Sequence, residues 1–328
     1  LLGGLARRVD YVEKIRSERQ WTLVVDSGDL FFGAPVNPDK DAALKKARLI
    51  GRAYRRMGAV AVNVGDLDLL QGVDFLRQEH VQGLPFVSAN LLDPSKQRPF
   101  FPPYLIREIS GIRVAFFGLL PPESGPQAGP AIRGANEGKI LITDPAEAAR
   151  KTMQELKGRA DLIILLSDLG LYQDQMVAKA APGIHFILGG HEGRLLGRSQ
   201  QTGETYILQS STKGMYVGRL RVLIEGPGLP LKDENEPQHI QEKMKALDSH
   251  LRWLEQAKER PGQSIENLNR TIRAVNREKS VLQKKLEQVQ KSASLGNRFL
   301  FTLEPMEVKL PEDGEVLKWI SDAGIDKD

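Results

Sequence analysis

The sequence contains no cysteine among its 328 residues. That absence excludes disulfides, thiolate metal sites, iron–sulfur clusters and covalently attached haem within this span. No apolar run approaches the roughly 20 residues a membrane helix needs, so no membrane span is predicted. Charge of neither sign dominates: Lys+Arg 46 oppose Asp+Glu 42, and the surplus of +4 is too small to argue for nucleic acid unless it clusters on one face. What is present, 41% hydrophobic and 27% charged residues, is a globular composition, neither largely disordered nor collagen-like. The length allows one large or two ordinary domains. The first residue is Leu1 rather than Met, and "LLGGLARRVDYVEKI" reads as a glycine turn feeding a helix with no strand or signal peptide ahead of it. A fragment or processed product is the expectation.

From Trp21 to about residue 225, short β-rich runs alternate with amphipathic stretches. "WTLVVD", "AVAVNV", "LPFVSAN", "YLIREI", "IRVAFFGLL", "DLIILLS" and "IHFILGG" have strand lengths and Val/Ile/Phe content. Several are apolar almost throughout, as strands covered on both faces are. Helices are predicted over Asp39–Met57, Gly72–His80, Asp144–Leu156 and Leu171–Ala180, the third capped by Thr143 or Asp144 with Pro145 in its first turn. Alternating strands and helices indicate a layered α/β domain over residues 1–230. "TYILQS" and "GMYVGRLRVLIE" read as a closing antiparallel pair. The Gly/Pro-rich stretch Leu120–Lys139 reads as a long surface loop.

Composition changes near residue 230. Ile240, Met244, Leu247, Leu251 and Leu254 follow a 4-3-4-3 spacing, "RPGQS" (Arg260–Ser264) breaks the helix, and Ile265, Leu268, Ile272, Val275, Leu282, Leu286 and Val289 continue at heptad spacing with Lys279 in the one failing seam position. Residues 233–297 are therefore predicted to form an antiparallel helical, coiled-coil hairpin, followed by a strand and short helix over 298–328, the strand returning to the α/β body. The second arm, Gly262–Ala293, holds seven Lys/Arg against three Asp/Glu (7 − 3 = +4), which equals the net charge of the whole chain. Narrow seams suit two helices packing on each other and leave the hairpin free to pair with a protein partner or a second copy.

Four polar clusters follow predicted strands: Asp26-Ser27-Gly28-Asp29, Gly65-Asp66-Leu67-Asp68, Ser167-Asp168-Leu169-Gly170 and Gly189-Gly190-His191-Glu192-Gly193. Singly, an Asp after a strand is a turn former or helix cap. Repeated at four strand ends, which converge on one rim in layered α/β proteins, three carboxylates and a histidine make a candidate metal site of Asp29, Asp66, Asp168 and His191.

These residues resemble the 5'-nucleotidase and UDP-sugar hydrolase branch of the calcineurin-like metallophosphoesterases. "GGLARR", "VVDSGDLFFG", "VGDLDLLQG", "VSANL", "LIILLSDLG", "IHFILGGHEG" and "GMYVGRL" occur in that family's order over roughly residues 1–225. The resemblance implies a layered α/β/β/α sandwich, here with a helical hairpin near its C-terminus, and a two-metal site. At the positions of the second metal's Asp, Asn, His and His stand Asp29, Asp66, Asp168 and His191. Carboxylates in place of two neutral ligands favour one hard ion, Mn²⁺, Mg²⁺ or Ca²⁺, over Zn²⁺. The first metal's Asp-x-His falls before Leu1, and its other histidine falls on Gly193. The family's catalytic histidine falls on Leu67, which has no proton to give. Asp68 is the one substitute acid in reach, provided Asp66 raises its pKa.

What the resemblance implies about function is thus a degenerate phosphoesterase-fold protein with a phosphoester or nucleotide ligand, at most one divalent ion, little or no nucleotidase activity, and a scaffold or assembly role. One alternative is an active single-metal phosphoester hydrolase completed upstream of Leu1. Another, implied by a divergent bacterial group that shares "LGGLARR", is an accessory module of a multihaem electron-transfer protein. The family also implies a periplasmic or cell-surface location in a bacterium.

Overall fold

The computed structural model describes residues 2–33, 39–122, 129–226, 228–260, 264–291 and 296–325. Along the chain, α1 (Leu5–Glu18), β1 (Val24–Asp26), α2 (Lys40–Arg56) and β2 (Ala59–Asn63) lead through a 3-10 turn (Leu67–Gln71) to α3 (Val73–Val81) and β3 (Phe86–Val87). Then come β4 (Leu91–Asp93), β5 (Arg98–Pro99), β6 (Tyr104–Ile109), β7 (Ile112–Leu119), α4 (Gly129–Ala135), β8 (Leu141–Ile142) and α5 (Pro145–Leu156). β9 (Leu162–Ser167), α6 (Leu171–Ala180), β10 (Phe186–Gly189), β11 (Gln200–Thr202), β12 (Thr205–Gln209) and β13 (Tyr216–Leu223) follow. The last elements are β14 (Leu231–Asp233), α7 (Glu236–Ala257), α8 (Ile265–Lys291), β15 (Asn297–Pro305) and α9 (Gly314–Asp322). Among the described residues, no helix is long and apolar enough to cross a membrane.

Two compact units divide the chain: residues 1–219 with 302–328, and residues 220–301. The first unit is the layered α/β body. A parallel sheet β1-β2-β3 and a mixed six-stranded sheet β11-β12-β10-β9-β7-β6 form its two inner layers. The register aligns Phe117, Leu165, Ile187 and Ile207 across four neighbouring strands. With Ala149 and Leu156 of α5 and Val177 of α6, this row makes one buried core. The other core lies against β1-β2-β3, where Val9, Ala47, Ala53, Phe86 and Val316 draw in α1, α2 and α9. Residues of both parities on β9 are buried, which is why that run is apolar throughout.

Local chemistry places the helices. Asp39, Asp144 and Asp313 each accept the N–H of the residue three positions on, so α2, α5 and α9 start at aspartate caps. For α5 the cap is Asp144 rather than Thr143. The β5-β4-β8 sheet is a small antiparallel addition to the body.

Two expectations are corrected. β12 pairs with β10 and β11 rather than with β13, because its apolar residues are needed in the body's core. β15 pairs with β13 and β14 in a three-stranded sheet. Leu120–Lys139 is not wholly irregular: α4 forms because Ile132 is buried and Asn136 accepts the N–H of Val73 while donating to Leu69 and Ile132 carbonyls. Residues 123–128 of that stretch lie outside the described residues.

In the second unit, α7 and α8 pack against each other. Ion pairs Lys285–Glu236 and Lys243–Glu278 run in opposite chain directions, so the two helices are antiparallel, and Lys279–Asp248 joins them further along. Residues 261–263, where the Pro-Gly turn is expected, lie outside the described residues.

Candidate metal centre

The site is built where strands of both inner sheets end. β1 stops at Asp26, whose Oδ1 accepts the Gly28 N–H at 3.0 Å and whose Oδ2 accepts the Tyr54 hydroxyl at 2.6 Å. The chain then turns through Gly28 (φ 108°) and Asp29 (φ 56°). A side chain on Gly28 would stand 2.7 Å from the Gly65 nitrogen, and one on Gly65 would strike the Asp29 nitrogen and carboxylate. Only two glycines let these loops approach so closely.

Asp29 Oδ1 accepts the Leu67 N–H at 2.9 Å, and Asp168 Oδ2 accepts the Asp66 N–H at 2.9 Å. His191, beyond β10, places Nδ1 3.4 Å from Asp168 Oδ1 and 3.9 Å from Asp66 Oδ1. One ligand atom from each of Asp29, Asp66, Asp168 and His191 lies within 4.8 Å of the other three. All four residues singled out as metal ligands are therefore brought together, Asp66 and Asp168 buried and His191 at the exposed rim.

The electrostatics are those of carboxylates crowded together in a buried place. Burial, with Asp168, Asp68 and Asp66 beside it, pushes the Asp29 carboxyl well above the usual range. Burial also raises Asp168 to about 6, against the pull of His191, and the Asp168 carboxylate pushes His191 up to about 9. Asp66 Oδ1 and Asp168 Oδ1 are buried, and among the described residues their charge partner is His191 Nδ1. Buried carboxylate oxygens with so few donors are costly in a protein interior. Hard divalent ions bind carboxylate oxygens at about 2.0–2.6 Å, a reach compatible with donors this close, so the residues present fit such an ion.

Asp68 is placed differently. Its Oδ1 accepts the Phe31 N–H at 2.9 Å and its Oδ2 the Gly65 N–H at 3.0 Å, so both oxygens brace the two ligand loops. Burial, more than the neighbouring carboxylates, raises it to about 7. Leu67 turns its side chain to the apolar core against β1-β2-β3. Gly193 (φ 61°) contributes no side chain.

Sequence reading missed the residues that hold the two sheets in register beneath the cluster. Asn63 donates to the carbonyls of Ser27 and Leu119 at 2.9 and 2.8 Å, and Gly118 faces it because any side chain there would strike the Asn63 amide. Ser27 Oγ donates to the Leu188 carbonyl at 2.8 Å. Ser167 donates to the buried Asp174 of α6. The available signals were single polar letters inside apolar patterns: Asn63 in "AVAVNV" and Asp174 on the inward face of α6.

No protein-family model matches the chain. Among curated proteins it is 30% identical to the uncharacterized metallophosphoesterase YunD of Bacillus subtilis, over 66% of this chain and 46% of that protein. It is 27% identical to the 5'-nucleotidase of Vibrio cholerae, over 66% of this chain and 44% of that protein. Among solved structures, the calcineurin-like phosphoesterase YfkN of Bacillus subtilis shares the fold, with a TM-score of 0.64 over 99% of this chain and 89% of that one at 19% identity. The chain spans about a third to a half of the length of the curated relatives it matches first, 32% and 46%. It belongs to the calcineurin-like metallophosphoesterase superfamily, in the branch that holds the 5'-nucleotidases.

Proposed function

We propose that this chain is a one-metal member of its branch, which binds a hard divalent ion through Asp29, Asp66, Asp168 and His191 and presents it to a phosphoester or nucleotide. The observation that carries the reading is the convergence of four donors within 4.8 Å, two of them buried carboxylates that share His191 as their charge partner. A divalent ion held there supplies a Lewis acid that polarises a phosphoryl oxygen. The chain's own residues supply little beyond that. Leu67 has no proton, and both oxygens of Asp68 are engaged by backbone N–H groups. General acid catalysis is worth about 10²–10⁴-fold, so its absence supports little or no nucleotidase turnover. A binding or scaffold role follows, with the α7–α8 hairpin as the surface for assembly and the periplasm or cell surface of a bacterium as the setting.

The test is metal analysis with calorimetric titration of Mn²⁺, followed by assays on nucleoside monophosphates and an aryl phosphate. One ion per chain with no turnover is expected. Turnover abolished by Asp29→Ala would overturn the scaffold role and favour an active single-metal hydrolase.

A further inference from the structure

The segment Arg98–Tyr104, "RPFFPPY", plays no part in the carboxylate–histidine cluster. With Asp93, Lys96 and Arg77 of α3, residues Arg98–Pro103 line a cleft of about 400 Å³. That volume lies within the range of small-molecule sites, about 300–1,000 Å³.

The floor is apolar and rigid. Phe101 is only 3% exposed, and its ring stands 5.3 Å from the rings of Phe86 and His80. The Phe100 N–H donates to the Leu91 carbonyl at 3.1 Å, and the Pro102 carbonyl accepts the Ser88 N–H at 3.1 Å. Three prolines in this segment fix their own φ angles. A floor ordered before any ligand arrives costs little conformational entropy on binding.

The rim is cationic. Asp93 is its one carboxylate and is already committed, accepting from the Ser95 backbone and hydroxyl and standing 3.2 Å from Lys96. Among the described residues Arg77 pairs only with Asp74, at 3.3 Å, both side chains being more than half exposed, so that pair is weak. Arg98 has no ion pair among the described residues. With Lys96 on Asp93 and Arg77 held only weakly by Asp74, Arg98 leaves positive charge uncompensated beside an aromatic and proline surface that suits a flat ring.

The geometry points to this cleft as a binding site for a small organic anion with a planar ring, its charge on Arg98 and Arg77 and its ring on Phe100 and the prolines. The site shares no residue with the metal centre and stands whether or not that centre binds an ion.

Calorimetric titration of the full chain in chelator tests it with three probes: phenylphosphonate, which cannot be hydrolysed, methylphosphonate, which keeps the anion, and benzamide, which keeps the ring. Phenylphosphonate is expected to bind about tenfold or more tighter than either partial probe. Arg98→Glu, an exposed substitution checked for an unchanged thermal melt, is expected to weaken it about tenfold or more. Asp168→Asn is expected to leave the affinity unchanged. Equal binding of phenyl- and methylphosphonate, no binding at all, or an affinity that falls with Asp168→Asn but not with Arg98→Glu would each overturn the assignment.

Discussion

The main-chain N–H of Asp66 donates to Asp168 Oδ2 across 2.9 Å, joining the loop after β2 in one inner sheet to the end of β9 in the other. Asp168 thus holds the site together as well as furnishing a ligand oxygen. The two roles separate by mutation. Asp168→Ala orphans a buried N–H, which costs about 1–3 kcal/mol, whereas Asp168→Asn keeps an acceptor in place. Both variants lose an anionic donor, and calorimetry is expected to show Mn²⁺ binding weakened about tenfold or more in each. Only the alanine variant is expected to melt clearly lower.

How much of this was legible in the sequence depends on the range of the interaction. Asp29, Asp66, Asp168 and His191 each follow an apolar run directly, and parallel strands deliver their ends to one rim, so local pattern sufficed. Asp144 and Pro145 announced α5 in the same way. The pairing of β15 with β13 and β14 was not legible, because strand partners far apart in sequence leave no local mark. Asn63 was hidden for a related reason. One polar letter in a strand reads the same whether it meets water or, as here, bridges two sheets. Asp68 was legible only as a carboxylate that would need a raised pKa, with Asp66 as the source; burial is what raises it, and its engagement by Phe31 and Gly65 depends on loop geometry alone.

An ion bound at the candidate metal centre would neutralise carboxylate charge that is gathered only in the folded state. Mn²⁺ at a hundred times its dissociation constant therefore stabilises the fold by about 2.7 kcal/mol. A rise in melting temperature of roughly 5–10 °C is expected by differential scanning calorimetry. Chelator should reverse it, and the Asp29→Ala variant should show none of it.

Gly65 tests how tightly the ligand loops are packed. A methyl group there meets the Asp29 nitrogen and the carboxylate that accepts the Leu67 N–H. Gly65→Ala is expected to destabilise the chain by about 1–3 kcal/mol in urea titrations, as overpacking does, and to weaken Mn²⁺ binding by displacing Asp29. An alanine at exposed Gly134, where nothing crowds the added carbon, is the matched control.

His185 gives the body an acid-sensitive point away from the metal centre. Its Nδ1 accepts the Ile163 N–H at 3.0 Å, and burial lowers its pKa below the usual value. The folded chain therefore binds this proton less readily than the unfolded chain. Stability is full above the unfolded pKa of about 6.5 and falls as pH drops below it, by at most about 1.4 kcal/mol per pH unit until the folded pKa is reached. His185→Asn keeps an acceptor and removes the titration. Its urea midpoint is expected to change less between about pH 7 and pH 5 than that of the parent chain.

Lys279 occupies the one seam position of α8 that breaks the apolar repeat, and its ammonium reaches Asp248 of α7. Both side chains are about a third exposed or more, at 34% and 40%, so the pair is screened and contributes little, about 0–1 kcal/mol. Leucine at this position would bury apolar surface against the α7 seam, worth roughly 25 cal/mol per Å² removed from water. Lys279→Leu is therefore expected to raise the urea midpoint of the hairpin, read by hydrogen exchange of α7 and α8 amides. The same substitution completes a continuous apolar stripe. If the lysine guards against pairing with a second copy, light scattering will show the variant associating more than the parent chain, because a cation at a seam position selects against extra strands at a cost in stability.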